Sequence, residues 1–204
     1  MATWIYFDGR NLGKGPEEDI PLPLENAYNA DGTPLTVKYE GSRYFTWNHD
    51  MEKMIVDTTL QGEQDGDNPS VLTTFLVHAL SDCVAKGKDD YMLVFSGHGG
   101  GYYGFGGDNH RRKLTQSNAS ILNAIETALA QVQGAPSKLN VLGFDACLMM
   151  AAGALDEFKD IADYFLASEA VEPGHGKSGV VFKLSSVLPS PLWFLMLPFH
   201  QHSY

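Results

Sequence analysis

Apolar positions along this chain fall either into short continuous runs or into stripes spaced by three and four residues. Trp4 to Phe7 is a run, stopped by Asp8 and Gly9. Leu72, Phe75, Leu76, Ala79, Leu80 and Cys83 form a stripe, which predicts a helix with one apolar face and makes Cys83 a core residue. Asn68 can cap that helix, Pro69 suits its first turn, and Lys86 and Gly87 close it. His78 lies off the centre of the stripe and is expected in solvent. Tyr91 to Phe95 is a second run. Ile121, Leu122, Ile125, Ala128, Leu129 and Val132 then mark another helix, stopped by Gly134 and Pro136. A third run, Leu139 to Phe144, reaches Asp145, and helical spacing resumes at Leu148, Met149, Ala152 and Leu155. That predicts a helix over about 148–159, followed by a strand at 164–168. Strands and helices in this alternation form a parallel α/β sheet.

Both ends of the chain are less regular. Residues 10–34 are rich in Pro, Gly and Asp and make poor helix material. Thr36 to Tyr39 reads as a candidate second strand, Met51 to Leu60 as a short strand or helix, and 61–68 as an acidic loop. Beyond Gly176, three prolines interrupt an apolar stretch, which argues against both a helix and a central strand. The stretch also lacks the charged face of a helix lying on a membrane surface.

Composition narrows the functional classes. The 204 residues carry 44% apolar and 19% charged side chains, as expected of one globular domain. A net charge of −11 argues against nucleic acid or an anionic membrane as partner and suits cationic peptides. Two cysteines give neither a disulfide framework nor zinc-ligand spacing. The opening M-A-T-W-I-Y-F-D has no basic region and no long apolar core, so no signal peptide is expected and the chain as written reads as cytoplasmic. No apolar run is long enough for a transmembrane helix.

Candidate chemistry sits where two of the runs end. Cys147 follows the third run and is expected near a helix N-terminus, where the dipole favours a thiolate, the nucleophilic form. The alternative is a small cysteine buried at a strand end. His98 follows the second run within S-G-H-G-G-G, and its glycines allow close approach of another chain segment. Adjacent parallel strands joined by a helical crossover would bring both residues to one rim, a nucleophile beside its acid or base. A serine-hydrolase reading fails because Val94 stands where G-x-S-x-G needs its first glycine. A phosphate loop at 97–101 would want a following helix and a lysine that are not evident.

Three blocks, Y-M-L-V-F-S-G-H-G-G-G (91–101), L-G-F-D-A-C-L-M (142–149) and A-S-E-A-V-E-P-G-H-G (167–176), resemble the clostripain-like cysteine peptidases, in the clan of caspases, legumains and gingipains. The likeness is close from Val71 to Gly176 and looser before it, where Asp8, Asn11 and Leu12 match an opening strand and its sequel. The helix that relatives have between their first strands is not evident here. The likeness suggests a peptidase domain over 1–176 and a tail, 177–204, outside the family pattern. It implies an α/β fold, a caspase-like three-layer sandwich with a mainly parallel central sheet, which a foreign tail could leave incomplete at the C-terminus. It further implies a cysteine endopeptidase that cleaves peptides or proteins after basic residues, Arg foremost, through a His98–Cys147 dyad. The N–H groups of Gly99 and Cys147 would hold the oxyanion. Asp145 is a candidate to bind the substrate's basic side chain, against a turn-capping role, and Glu169 is the second candidate. Family members are often calcium-dependent, yet no D-x-D-x-D-G loop is present, and Asp65, Asp67 and Asp108 read as ordinary acidic loop residues. No other cofactor is implied. Arg111, Arg112 and Lys113 lie where relatives cut themselves, against the alternative of a solvated turn; Lys138 is another basic site. The rival to a peptidase is an inactive caspase-like fold serving as a binding module, or a shortened product.

Overall fold

A computed structural model describes residues 2, 4–10, 27–29, 31–33, 40–48, 50–57, 64–66, 68–106, 116–171 and 194–198. The apolar runs become strands β1 (Trp4–Arg10), β5 (Met92–Ser96) and β6 (Leu139–Asp145), and the stripes become helices α1 (Pro69–Ala85) and α2 (Asn118–Gln131). Local chemistry sets the helix ends. The Asn68 side chain accepts from the Ser70 N–H at the start of α1, and Ser117 caps α2 by accepting from Ser120 N–H. Six residues of the α1 stripe, Leu72 through Cys83, are the helix's buried ones. Lys86 is the C-cap of α1, and Gly87 beyond it has φ +62°, a left-handed conformation that favours glycine.

β5, β6 and β7 (Ala162–Leu166) run parallel, with Met92 opposite Val141, Ser96 opposite Asp145, and Leu139 opposite Ala162. Side chains alternate between the two faces of a sheet. Leu93, Phe95, Leu142 and Phe144 share one core cluster with the buried faces of α1, α2 and α3 (Ala152–Phe158). On the opposite face Met92, Val94 and Val141 are buried as well, so β5 and β6 are covered on both sides, whereas Tyr164 and Leu166 of the edge strand β7 are exposed there. This is the mixed α/β architecture expected, with parallel strands flanked by helices. No described helix is long and apolar enough to cross a membrane.

The other half of the sheet contains β2 (Ala27–Tyr28), β3 (Glu40–Asn48) and β4 (Lys53–Asp57). β1 pairs antiparallel with β3, and β3 antiparallel with β4. β3 escapes the sequence pattern because its first half is polar. Ser42 is nonetheless fully buried, its hydroxyl accepting from the Gln64 N–H. The candidate strand at 36–39 lies outside the described residues, as does the region between the first two strands.

Two expectations are corrected. Phe194–Pro198 forms strand β8, parallel to both β1 and β5 and central in the order β2-β4-β3-β1-β8-β5-β6-β7. The prolines do not forbid this, because Pro198 is the last residue of the strand and the other two precede it. His78 is not in solvent. It is half-buried, edge-on to Trp4 at 4.6 Å between ring centroids and stacked on Tyr44 at 5.6 Å. The aromatic residues of β1 and β3 extend the core across the flank of α1.

Candidate active site

The pairing of β5 with β6 brings His98 and Cys147 to the same rim. Ser96 and Asp145 are directly opposite one another, and the Gly97 N–H continues the ladder to the Asp145 carbonyl at 3.1 Å. His98 and Cys147 therefore stand at equal offsets, two residues past the ends of neighbouring strands, which in a sheet lie about 4.8 Å apart. Both are half-buried.

Beyond β5 the chain folds back as a narrow hairpin. Gly106 N–H donates to the His98 carbonyl and Gly100 N–H to the Gly104 carbonyl, both at 2.9 Å. Gly99 and Phe105 thus form a non-hydrogen-bonded antiparallel pair, and the Gly99 N–H points away from Phe105. Phe105 is fully buried against Phe95 and Phe144, at 5.4 and 5.7 Å between ring centroids. This ring contact anchors the histidine loop to the sheet core. Phe105 also pairs through both backbone bonds with Gln116, whose side-chain amide donates to the Gly66 carbonyl. The Asn118 amide, itself buried, donates to the Gly101 carbonyl at 3.0 Å. Sequence reading missed Gln116 and Asn118, because an isolated carboxamide carries no local sign of the distant backbone it will meet.

The cysteine loop differs from expectation. α3 begins only at Ala152, so Cys147 lies in a turn over 146–151 and not at a helix N-terminus. The helical spacing of Leu148 and Met149 has another origin. Met149 is fully buried in the core, whereas Leu148 is exposed and left-handed at φ +62°. For a leucine that conformation costs about 1–2 kcal/mol. The turn is held from outside. Leu148 N–H donates to the Ala170 carbonyl at 3.0 Å and Met150 N–H to the Ser168 carbonyl at 2.9 Å. The support for the Cys147 loop thus comes from the segment after β7 and not from a helix dipole.

Glycine contacts show how tightly the two loops meet. A Cβ on Gly99 would collide with the Cys147 carbonyl oxygen and would stand 2.9 Å from Met149 Cγ and 3.0 Å from Ala146 Cβ. At Gly101, φ is +59°, and a Cβ would lie 2.9 Å from the Leu148 carbonyl oxygen. Only glycine lets the histidine loop lie this close to the cysteine loop.

Asp145 is half-buried, and its carboxylate accepts from the Ser96 hydroxyl at 3.1 Å. By alternation both side chains leave the sheet on the face opposite Phe144 and α3. Glu169 is exposed and sits in a bend beyond β7, not on a strand, between the two residues whose carbonyls hold the cysteine loop. Cys83 is buried in the α1 face, where apolar surroundings and then the Asp82 carboxylate push its thiol up to about 11. Arg111, Arg112 and Lys113, like Asp67 and Asp108, lie outside the described residues. Among the described residues, no group of three acidic, histidine or cysteine side chains is placed to hold a metal ion.

No curated protein and no solved structure gives a significant match to the chain. A model of the clostripain family matches residues 4–189, which takes in both strand-end motifs and most of the sheet. The chain belongs to the clostripain family.

Proposed function

We propose that this protein is a cysteine endopeptidase that cleaves after basic residues, Arg foremost, with His98 and Cys147 as its dyad. Membership of the clostripain family implies a cysteine peptidase; the dyad and the basic preference are the finer reading. The observation that carries it is the matched placement of His98 and Cys147 beyond the Ser96–Asp145 pair, with Gly99 packed on the Cys147 carbonyl.

In this mechanism the Cys147 thiolate attacks the scissile carbonyl carbon. The carbonyl oxygen becomes an oxyanion, held by the N–H groups of Cys147 and Gly99. One such donor is worth about 3–4 kcal/mol in the transition state. The non-hydrogen-bonded pairing of Gly99 with Phe105 supports this role, because it leaves the Gly99 N–H aimed away from the hairpin. Collapse of the intermediate breaks the C–N bond, and protonated His98 gives its proton to the leaving amine. His98, now neutral, takes a proton from water, which attacks the thioester and releases the acid and the thiolate. A basic side chain of the substrate is received by Asp145, already oriented by Ser96, with Glu169 as the second carboxylate at the same rim.

The test uses peptide reporters ending in Arg, Lys, Asp or Asn, together with an arginyl acyloxymethyl ketone. Wild-type protein should cleave the Arg reporter best and take the label on Cys147. Cys147→Ala and His98→Ala should each abolish turnover, and Cys83→Ala should retain it. Full activity in Cys147→Ala would overturn the assignment, and a preference for Asp would overturn the basic specificity.

A further inference from the structure

Seven large hydrophobic side chains are exposed among the described residues, and four of them, Tyr102, Tyr103, Leu148 and Val171, belong to the loops around Cys147. Leu148 is the most telling. It follows Cys147 directly, adopts a backbone conformation that leucine disfavours, and spends its side chain on neither core nor helix. Glycine or asparagine would suit that backbone better, so what distinguishes leucine here is an apolar group held outward beside the thiol. Next to it, the Gly101 Cα approaches the Leu148 backbone. Tyr102, 76% exposed, leans its ring on Gly153 of α3, where a Cβ would stand 3.3 Å from Tyr102 Cδ2.

These residues and Asp145 lie on opposite sides of the rim. Tyr102 rests on α3, whose Phe158 packs at a tilt against Phe144 with 5.3 Å between ring centroids, whereas Asp145 leaves the sheet on the other face with Ser96. An extended peptide laid across Cys147 directs successive side chains to opposite sides. If its basic side chain turns towards Asp145, the side chains of the neighbouring residues turn towards Leu148 and Tyr102.

We infer that Leu148 and Tyr102 form an apolar ledge that receives a hydrophobic side chain from the residue adjoining the substrate's basic one. The inference rests on the proposed peptidase reading and adds a second specificity element to it. Substrates with Leu, Val or Phe beside the basic residue should react faster than those with Ser, Asn or Asp, by about tenfold in kcat/KM.

Two sets of substrates test this, each with Arg fixed before the cleaved bond. Aminocoumarin reporters vary the residue preceding Arg, and internally quenched peptides vary the residue following the cleaved bond. A preference in either set supports the ledge and shows which neighbour fills it. In Leu148→Asn, which keeps a residue tolerant of the left-handed conformation, the apolar-to-polar ratio should fall to about one. In Tyr102→Ser it should fall several-fold, which covers the case of a Leu148 variant that does not fold. Tyr164→Ser, an exposed tyrosine on β7, should leave both ratio and rate unchanged. Arg cleavage with no apolar preference in wild type, or with a ratio unaltered by both ledge variants, overturns this inference and leaves the peptidase reading intact. No cleavage of any Arg substrate by wild type overturns both.

Discussion

Replacing Gly99 by alanine probes the contact between the His98 and Cys147 loops with a single methyl group. Ordinary carbon–carbon contact is roughly 3.5–4.0 Å. The new Cβ would stand 2.9 Å from Met149 Cγ and 3.0 Å from Ala146 Cβ, and it would overlap the Cys147 carbonyl oxygen outright. Neither side can give way easily. Met149 and Ala146 are buried, and the carbonyl is backbone in a turn fixed by the Ser168 and Ala170 carbonyls. The loops would have to part by about 0.5–1 Å, and a misplacement near 1 Å can cost about 100-fold in rate. Overpacking of this kind also destabilises by about 1–3 kcal/mol. The assay is kcat/KM on the Arg reporter beside urea denaturation, with Gly87→Ala as the contrast. Gly87 has a positive φ, unlike Gly99, and a Cβ there meets nothing within 4 Å. It should lose about 1 kcal/mol of stability and no activity. Gly99→Ala should therefore lose far more rate than a matched loss of stability explains. Wild-type kcat/KM in Gly99→Ala would refute the reasoning, since it would mean the loops need not touch for function.

Further expectations follow from particular groups. Asp145→Asn should slow cleavage of Arg reporters by at least tenfold more than of uncharged ones, because a carboxylate pairs with guanidinium through two charge-assisted bonds; an equal effect on both would shift the role to Glu169, tested by Glu169→Gln. Burial raises the Cys83 thiol from 9.0 to about 11, and burial with Asp57 raises the Tyr44 phenol from 10.0 to about 12. The folded state thus holds these protons longer than the unfolded chain does, so stability present below pH 9 should decline from about pH 9 to 12. Urea titrations across that range should show a shallower decline in Cys83→Ala, and an unchanged slope would remove the thiol as a cause. Incubated wild-type protein should acquire new N-termini at Arg111 to Lys113, seen by mass spectrometry and lacking in Cys147→Ala; intact mass in an active preparation would leave the cluster as surface only.

What could be read from the sequence is what short-range physics decides. The apolar stripe and caps of α1 depend only on neighbours three and four residues away, and so does the burial of Cys83. The placement of His98 and Cys147 at strand ends was equally legible, because continuous apolar runs that stop in glycine or at a turn mark strand ends. The cysteine loop was not. Leu148 and Met149 imitate a helical face, but one packs inward and the other points outward in a turn whose hydrogen-bond partners lie on the segment after β7. The same long-range dependence hid β3, whose Ser42 is satisfied by Gln64, and β8, whose neighbours are strands from the other end of the chain.

The backbone pairing of Phe105 with Gln116 closes the base of the segment between Gly106 and Gln116. Any cut within that segment therefore severs the covalent chain without detaching either piece. On one side the fragment ends in a hairpin pinned by the Phe105 ring. On the other it begins at Gln116 and Asn118, whose amides hold the Gly66 and Gly101 carbonyls of the first fragment. Beyond them, β5 remains zipped to β6 and α1 remains packed on α2. A nicked molecule would migrate as two bands in detergent and as one particle in native buffer, with its thiol and its imidazole contributed by different polypeptides.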